Sequence, residues 1–308
     1  MIMKKEIVFL AAFLFTIGAY ANILRVNNVD SSAPYSTIDD AVKAATDGDT
    51  IMVEGSSLKY EDATLSKRVV LIGPGFWLRD NGFVSETGYD ARLDYLTSTQ
   101  EGTVIMGMYI TQQIKVQAPK TVITRCAVVS LNGYSISLAK GADNCVISQN
   151  FLSGGIGGGV DSETYRHQIN NNIIEDFTPY GIYDSYIGYN TVFDEWRVAW
   201  AHGGNKIEKN IVNRSDFSQD NEFTKSNNYV DNYFAEKMFQ NAINIKKDTD
   251  VRDYNLPEEA KAYGAFAGND PYKISGIPAG PMIEELTIPT SVEEGSTMEV
   301  TIKLGSTK

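Results

Sequence analysis

Ile147-Ser148-Gln149-Asn150-Phe151-Leu152 decides the fold, because its outline returns down the chain. The pattern Ile-x-x-Asn-x-(aliphatic) reappears at Ile169-Asn172-Ile174, Ile187-Asn190-Val192 and Ile207-Asn210-Val212. A weaker copy has Lys225 before Asn228 and Val230, and an earlier one has Cys126 at the Asn position between Ile123 and Val128. From Cys126 to Asn228 the intervals are 24, 22, 18, 20 and 18 residues. A repeat near 20 residues, with inward aliphatics and a polar bend residue, is the signature of stacked coils that bury one continuous core. The expected fold is therefore all-β: a single-stranded, right-handed parallel β-helix.

Within each coil side chains alternate about the strand. The position two after each Asn is always aliphatic: Val128, Leu152, Ile174, Val192, Val212 and Val230. These form one expected inward stack. The Asn suits a tight bend, since it tolerates left-handed backbone and its amide bonds local main chain. Stacked coil on coil at about 4.8 Å, Asn150, Asn172, Asn190, Asn210 and Asn228 are expected to bond one another as a structural ladder.

The chain opens on a leader. Lys4 and Lys5 precede an apolar run from Ile7 to Ile17, and Ala19-Tyr20-Ala21 supplies a cleavage site, so 1–21 reads as a signal peptide. The apolar run is too short to span a bilayer. The expectation is an exported protein without a membrane span: periplasmic, at the cell surface or extracellular. Residues 22–54 hold a first strand and a helix leading into the first coil. Ile38, Ala41, Val42 and Ala45 share one helical face, with Ser36 as the expected N-cap and Asp47-Gly48 as the expected left-handed end. Such a helix would cap the open apolar end of the coils. The β-helix should occupy 55–234, a C-terminal capping and linker segment 235–282, and a β-hairpin 283–308, with strands at Ile283–Pro289 and Met298–Leu304.

Formal charge is −12 for the whole chain. That acidity repels nucleic acid and anionic lipid, so nucleic-acid partners are excluded. Two cysteines are present. In the repeat register Cys126 aligns with Asn150 and Cys145 with Thr121. Their offset is too long for the Cα separation of about 7 Å that a disulfide demands, so two free buried thiols are expected.

Residues 76–101 interrupt the coils with Trp77, Phe83, Tyr89 and Tyr95, and strands are expected to resume at Thr103. The favoured reading is a long loop folded on the flank with its aromatics buried. The functional reading is an aromatic wall for stacking sugar rings.

Tyr35-Ser36-Thr37-Ile38 through Ala41, with Asp47-Gly48-Asp49-Thr50-Ile51-Met52-Val53, resembles the N-terminal cap of right-handed β-helix proteins of the pectin-lyase-like superfamily. The Ile-x-x-Asn coils look like that superfamily's coils. The block Gly264-Ala265-Phe266-Ala267-Gly268-Asn269-Asp270-Pro271-Tyr272, with Ser275-Gly276-Ile277-Pro278, is similar to a C-terminal segment of secreted Bacteroidetes-type β-helix proteins. The resemblance implies the fold and leaves activity open, because such folds host lyases, hydrolases, esterases and adhesins.

Polygalacturonase-like members carry Asn-Thr-Asp, Gly-His-Gly and Arg-Ile-Lys; here only Ala201-His202-Gly203-Gly204 echoes them. Pectate-lyase-like members use an Asp cluster for calcium beside a basic residue. Four residues after the repeat Asn stand Asp176, Asp194 and Arg214, one column if the coils stack. Under this enzyme reading Ca²⁺ would bridge Asp176 and Asp194 to an acidic polysaccharide, with Arg214 on its carboxylate. The favoured reading of the column is a solvated charged turn. Esterase-like members need two Asp and an Arg on one groove; Asp161, Glu163, Arg166 and His167 cluster after the Gly-rich run 154–159 without a placed partner. His167 and His202 are the only histidines, so a zinc site is not expected. The expected function is a non-enzymatic surface or extracellular scaffold that binds a polysaccharide or a surface protein without a cofactor. A calcium-assisted polysaccharide lyase is the alternative, ahead of a glycoside hydrolase.

Overall fold

The computed structural model describes residues 21–83, 88–130, 133–158, 162–177, 179–192, 203–212, 228–230, 258–278, 280–287, 297–298 and 300–307. The leader read at 1–21 lies, but for its last residue, outside the described residues.

The chain is a parallel β-solenoid. Nine strands form its first sheet: Ile23–Val26, Thr50–Val53, Val70–Ile72, Val104–Met106, Val122–Thr124, Val146–Ser148, Gln168–Asn170, Tyr186–Gly188 and Lys206–Glu208, stacked in chain order. From Ile51 to Ile207 the inward residue of each rung pairs with the next: Ile51, Leu71, Ile105, Ile123, Ile147, Ile169, Ile187, Ile207. All are buried. Burying each aliphatic side chain contributes about 1.5–3 kcal/mol before chain entropy is counted. This column therefore holds the coils in register.

After a sharp bend the chain enters the second sheet at Ala127–Val128, Phe151–Leu152, Ile173–Ile174, Thr191–Val192, Ile211–Val212 and Tyr229–Val230. Val128, Leu152, Ile174, Val192, Val212 and Val230 pair in one column. Those from Val128 to Val212 are buried in the main core. Ala63–Leu65, Arg92–Ser98, Tyr109–Val116, Ile136–Leu138 and Ile156–Gly158 extend this sheet.

The coils resume earlier than the expected Thr103. Arg92–Ser98 pairs in parallel with both Ala63–Leu65 and Tyr109–Val116. A register shift between Leu93 and Tyr95 puts the inward residues Leu93 and Leu96 three apart. A bulge of this kind breaks the two-residue alternation by which a strand is recognised.

Helix α1, Ile38–Ala44, lies over the first strands and adds Ile38, Ala41 and Val42 to the core. Thr37 is its N-cap, not Ser36: the Thr37 hydroxyl accepts from the Asp40 N–H at 3.1 Å. The helix ends on Ala45 in extended conformation, so Gly48, with φ of +99°, turns the chain into the next strand and does not cap the helix. Late in the chain Gly280–Thr287 and Thr301–Thr307 form an antiparallel hairpin. Cys126 and Cys145 are buried and unpaired.

Candidate functional site

The bend between the two sheets is a continuous polar row. The Asn150 N–H and Nδ2 both donate to Asn172 Oδ1 at 3.0 Å, Asn172 donates likewise to Asn190, Asn190 to Asn210, and Asn210 to Asn228. The Cys126 N–H starts the ladder on Asn150 Oδ1. Each Nδ2 also reaches a first-sheet carbonyl: Ile123, Ile147, Ile169, Ile187 and Ile207. Every amide thus satisfies main-chain groups that the bend takes out of the sheet.

The left-handed residue at each bend is not the ladder Asn, as expected from sequence, but the residue before it. Arg125, Gln149, Asn171, Tyr189 and Lys209 have φ between +54° and +61°. Glycine adopts this conformation at least cost. The use of five different large side chains here calls for a reason, and the C-terminal segment supplies it.

Residues 263–278 run back along the molecule, against the direction in which the coils are stacked. They form a strap across this row. The Gly264 N–H donates to the Lys209 carbonyl at 2.9 Å, and the Lys209 ammonium sits over the Tyr263 ring. Gly268 lies against the Tyr189 ring. Asn171 Nδ2 donates to the carbonyls of Ala265 and Ala267 at 3.0 and 2.8 Å. Gln149 Nε2 reaches the carbonyls of Asp270 and Pro271 and the Asp270 carboxylate. Arg125 Nη1 donates to the Ile277 carbonyl at 3.0 Å, while its Nε donates to Gln149 Oε1 at 2.7 Å. Burial lowers the Arg125 pKa, opposed by the charge of Asp270. Where the strap reaches earlier coils the row turns to glycine: a Cβ on Gly107 would lie 2.9 Å from the Pro278 ring.

Beneath the strap is a second apolar cluster. The outward residues Ala127, Phe151, Ile173 and Ile211 of the second sheet are covered by Phe76, Trp77, Ala265 and Tyr272. Trp77 packs edge-on against Phe76, Tyr109 and Phe151. It is therefore a buried anchor, which removes it from the aromatic wall considered above. Its N–H and that of Leu78 donate to the Asp90 carboxylate, pinning the loop. Phe83, Tyr89 and Tyr95 are exposed, but Arg79 lies over the Tyr89 ring and Lys115 over the Tyr95 ring. A cation on a ring face competes with a sugar for that face. Phe83 borders an open groove of about 410 Å³ with Phe266, Pro271, Tyr272, Lys273, Ile274 and Ile277.

A second polar column stands at the opposite bend, one residue before the first sheet. The Cys145 N–H donates to His167 Nδ1, the His167 N–H to Ser185 Oγ, and the Ser185 N–H to Asn205 Oδ1. Left-handed residues precede it at Lys120, Asn144, Arg166 and Asp184. His167 is 1% exposed and its Nε2 has no partner among the described residues. Burial holds its pKa down to about 4. Arg166 points outward to Asn144 and Asp143, and Glu163 accepts from the Tyr165 hydroxyl. Arg166 and His167 therefore face away from each other and share no groove; Asp161 and His202 lie outside the described residues.

Of the calcium column, Asp176 is exposed just past the second sheet, where its charge adds to burial and to Tyr180 in raising the Tyr134 pKa. Asp194 and Arg214 lie outside the described residues. Among the described residues no three His, Cys, Asp or Glu side chains are grouped to hold a metal ion, and no helix is long and apolar enough to cross a membrane.

The strap's anchors escaped the reading of the sequence. Their one signal is position, immediately before each ladder Asn, because their types vary. No protein-family model, no curated protein and no solved structure matches this chain.

Proposed function

We propose that this chain is an exported, non-enzymatic scaffold whose rigid β-helix presents its polar loops and C-terminal hairpin to a surface partner, a polysaccharide or a protein. One observation carries the reading: the strap fixes the root of the hairpin. Arg125 holds the Ile277 carbonyl, and Pro278 abuts Gly107, two residues before the hairpin opens at Gly280. Tying Ile277 and Pro278 to the coils tethers the start of the hairpin, which lowers the ordering cost of docking. Ile302 on its second strand and Met298 and Val300 just before it are exposed, and among the described residues the two strands pair only with each other, which suits strand addition. The leader at 1–21 is the basis for placing the scaffold outside the cytoplasm. The likeness of its coils and N-terminal blocks to pectin-lyase-like proteins fits this reading, since that fold serves binding as readily as catalysis.

The test is retention of purified protein on cells of the producing organism. Wild type should be retained, and the Met298→Asp/Ile302→Asp variant should be lost from the cells with its thermal transition unchanged. Equal retention of both would remove the hairpin from the docking role.

A further inference from the structure

We infer that residues 263–278 are a lock that converts this repeat protein into one cooperative unit, with Gln149 as its central anchor. In a solenoid each coil touches only its neighbours, so stability is a sum of coil and interface contributions and the ends fray first. The strap breaks that locality. It touches seven successive rungs, at Lys209, Tyr189, Asn171, Gln149, Arg125, Gly107 and, through Gly75 and Phe76, the rung ending at Ile72. The Gly75 N–H donates to the Gly107 carbonyl and the Phe76 N–H to the Ser275 carbonyl, both at 2.9 Å.

Three features identify a lock and not an incidental covering. The strap is gripped through its main chain: Asn171, Gln149 and Arg125 all donate to its carbonyls, whatever its side chains. The anchors are tied to each other as well, through Arg125 Nε and Gln149 Oε1. And each anchor holds a left-handed backbone that glycine would adopt more cheaply, so the side chains are retained against that strain. At the strap's end the close approach is exclusive: a Cβ on Gly276 would meet the Arg125 carbonyl at 2.2 Å. To open any one coil in the middle, the strap must leave its neighbours too.

Hydrogen exchange on the full chain tests this. In wild type under mild urea, amides of Val70–Ile72, Val104–Met106, Gln168–Asn170 and Tyr186–Gly188 should share one opening equilibrium. A gradient of protection that falls coil by coil toward Lys206–Glu208 would overturn the lock. In Gln149→Ala, protection should drop about tenfold or more at Val70–Ile72, which does not touch Gln149. A loss confined to the rungs beside Gln149 would equally overturn it. The wild-type measurement stands even if the variant does not fold.

Discussion

The Cys145 N–H donates to Nδ1 of His167 on the next coil at 3.2 Å, which leaves the imidazole proton on a buried Nε2 without a partner among the described residues. The neutral ring is thus an acceptor built into the stack, and protonation at Nδ1 would set two donors against each other. Burial puts the folded pKa near 4, against 6.5 for an ordinary His. With the folded value depressed, the unfolded chain binds the extra proton, so stability falls as pH drops through 6.5 and levels off below about 4. The full effect is about 3 kcal/mol. Urea unfolding at pH 7 and pH 4.5 should show a loss in wild type that is much smaller in His167→Asn, which keeps an acceptor. Parallel pH profiles would contradict this role for His167.

Asn172→Ala should destabilise by about 3 kcal/mol or more, because the buried N–H and Nδ2 of Asn150 both lose their acceptor. Asn228→Ala, at the part-buried end of the ladder, should cost less. Thermal denaturation of the two variants checks the order; equal losses would mean that the ladder does not act through burial.

Gln149→Ala should cost about 2–4 kcal/mol through the strap contacts it removes. Gln149→Gly should recover about 1 kcal/mol of that, since the bend is left-handed. Were Gly the worse of the two, the strain argued for the anchor row would be absent.

Both thiols should resist reagents in the native state. Burial pushes Cys126 up to about 12 and Cys145 up to about 11, and the thiolate is the reactive form. Ellman's reagent should find two thiols only after denaturation. Rapid labelling of the native chain would show that the core opens at one of the two coils.

The coils were legible because their cause is local and repeated. An Ile five residues before an aliphatic, with Asn between, recurs whenever one more rung is added. The bend geometry was legible only in outline: Asn tolerates left-handed backbone, yet here it is occupied with the ladder, and the residue before it takes the strain. The strand at Arg92–Ser98 was hidden by its bulge, which spaces Leu93 and Leu96 at a helical interval. The strap was illegible, since Arg125, Gln149, Asn171, Tyr189 and Lys209 share a place and no chemistry: three donate to its main chain, while Tyr189 and Lys209 pack on Gly268 and the Tyr263 ring. Nothing in the spacing of Trp77, Phe83, Tyr89 and Tyr95 separates the buried anchor Trp77 from its exposed neighbours.

The most direct measurement is release of unsaturated product from a panel of acidic polysaccharides, with and without calcium, by wild type and Asp194→Ala side by side. A scaffold whose polar rows hold its own coils and strap should release none under either condition. Calcium-dependent product that disappears in Asp194→Ala would contradict the account and place a lyase site on the column that begins at Asp176.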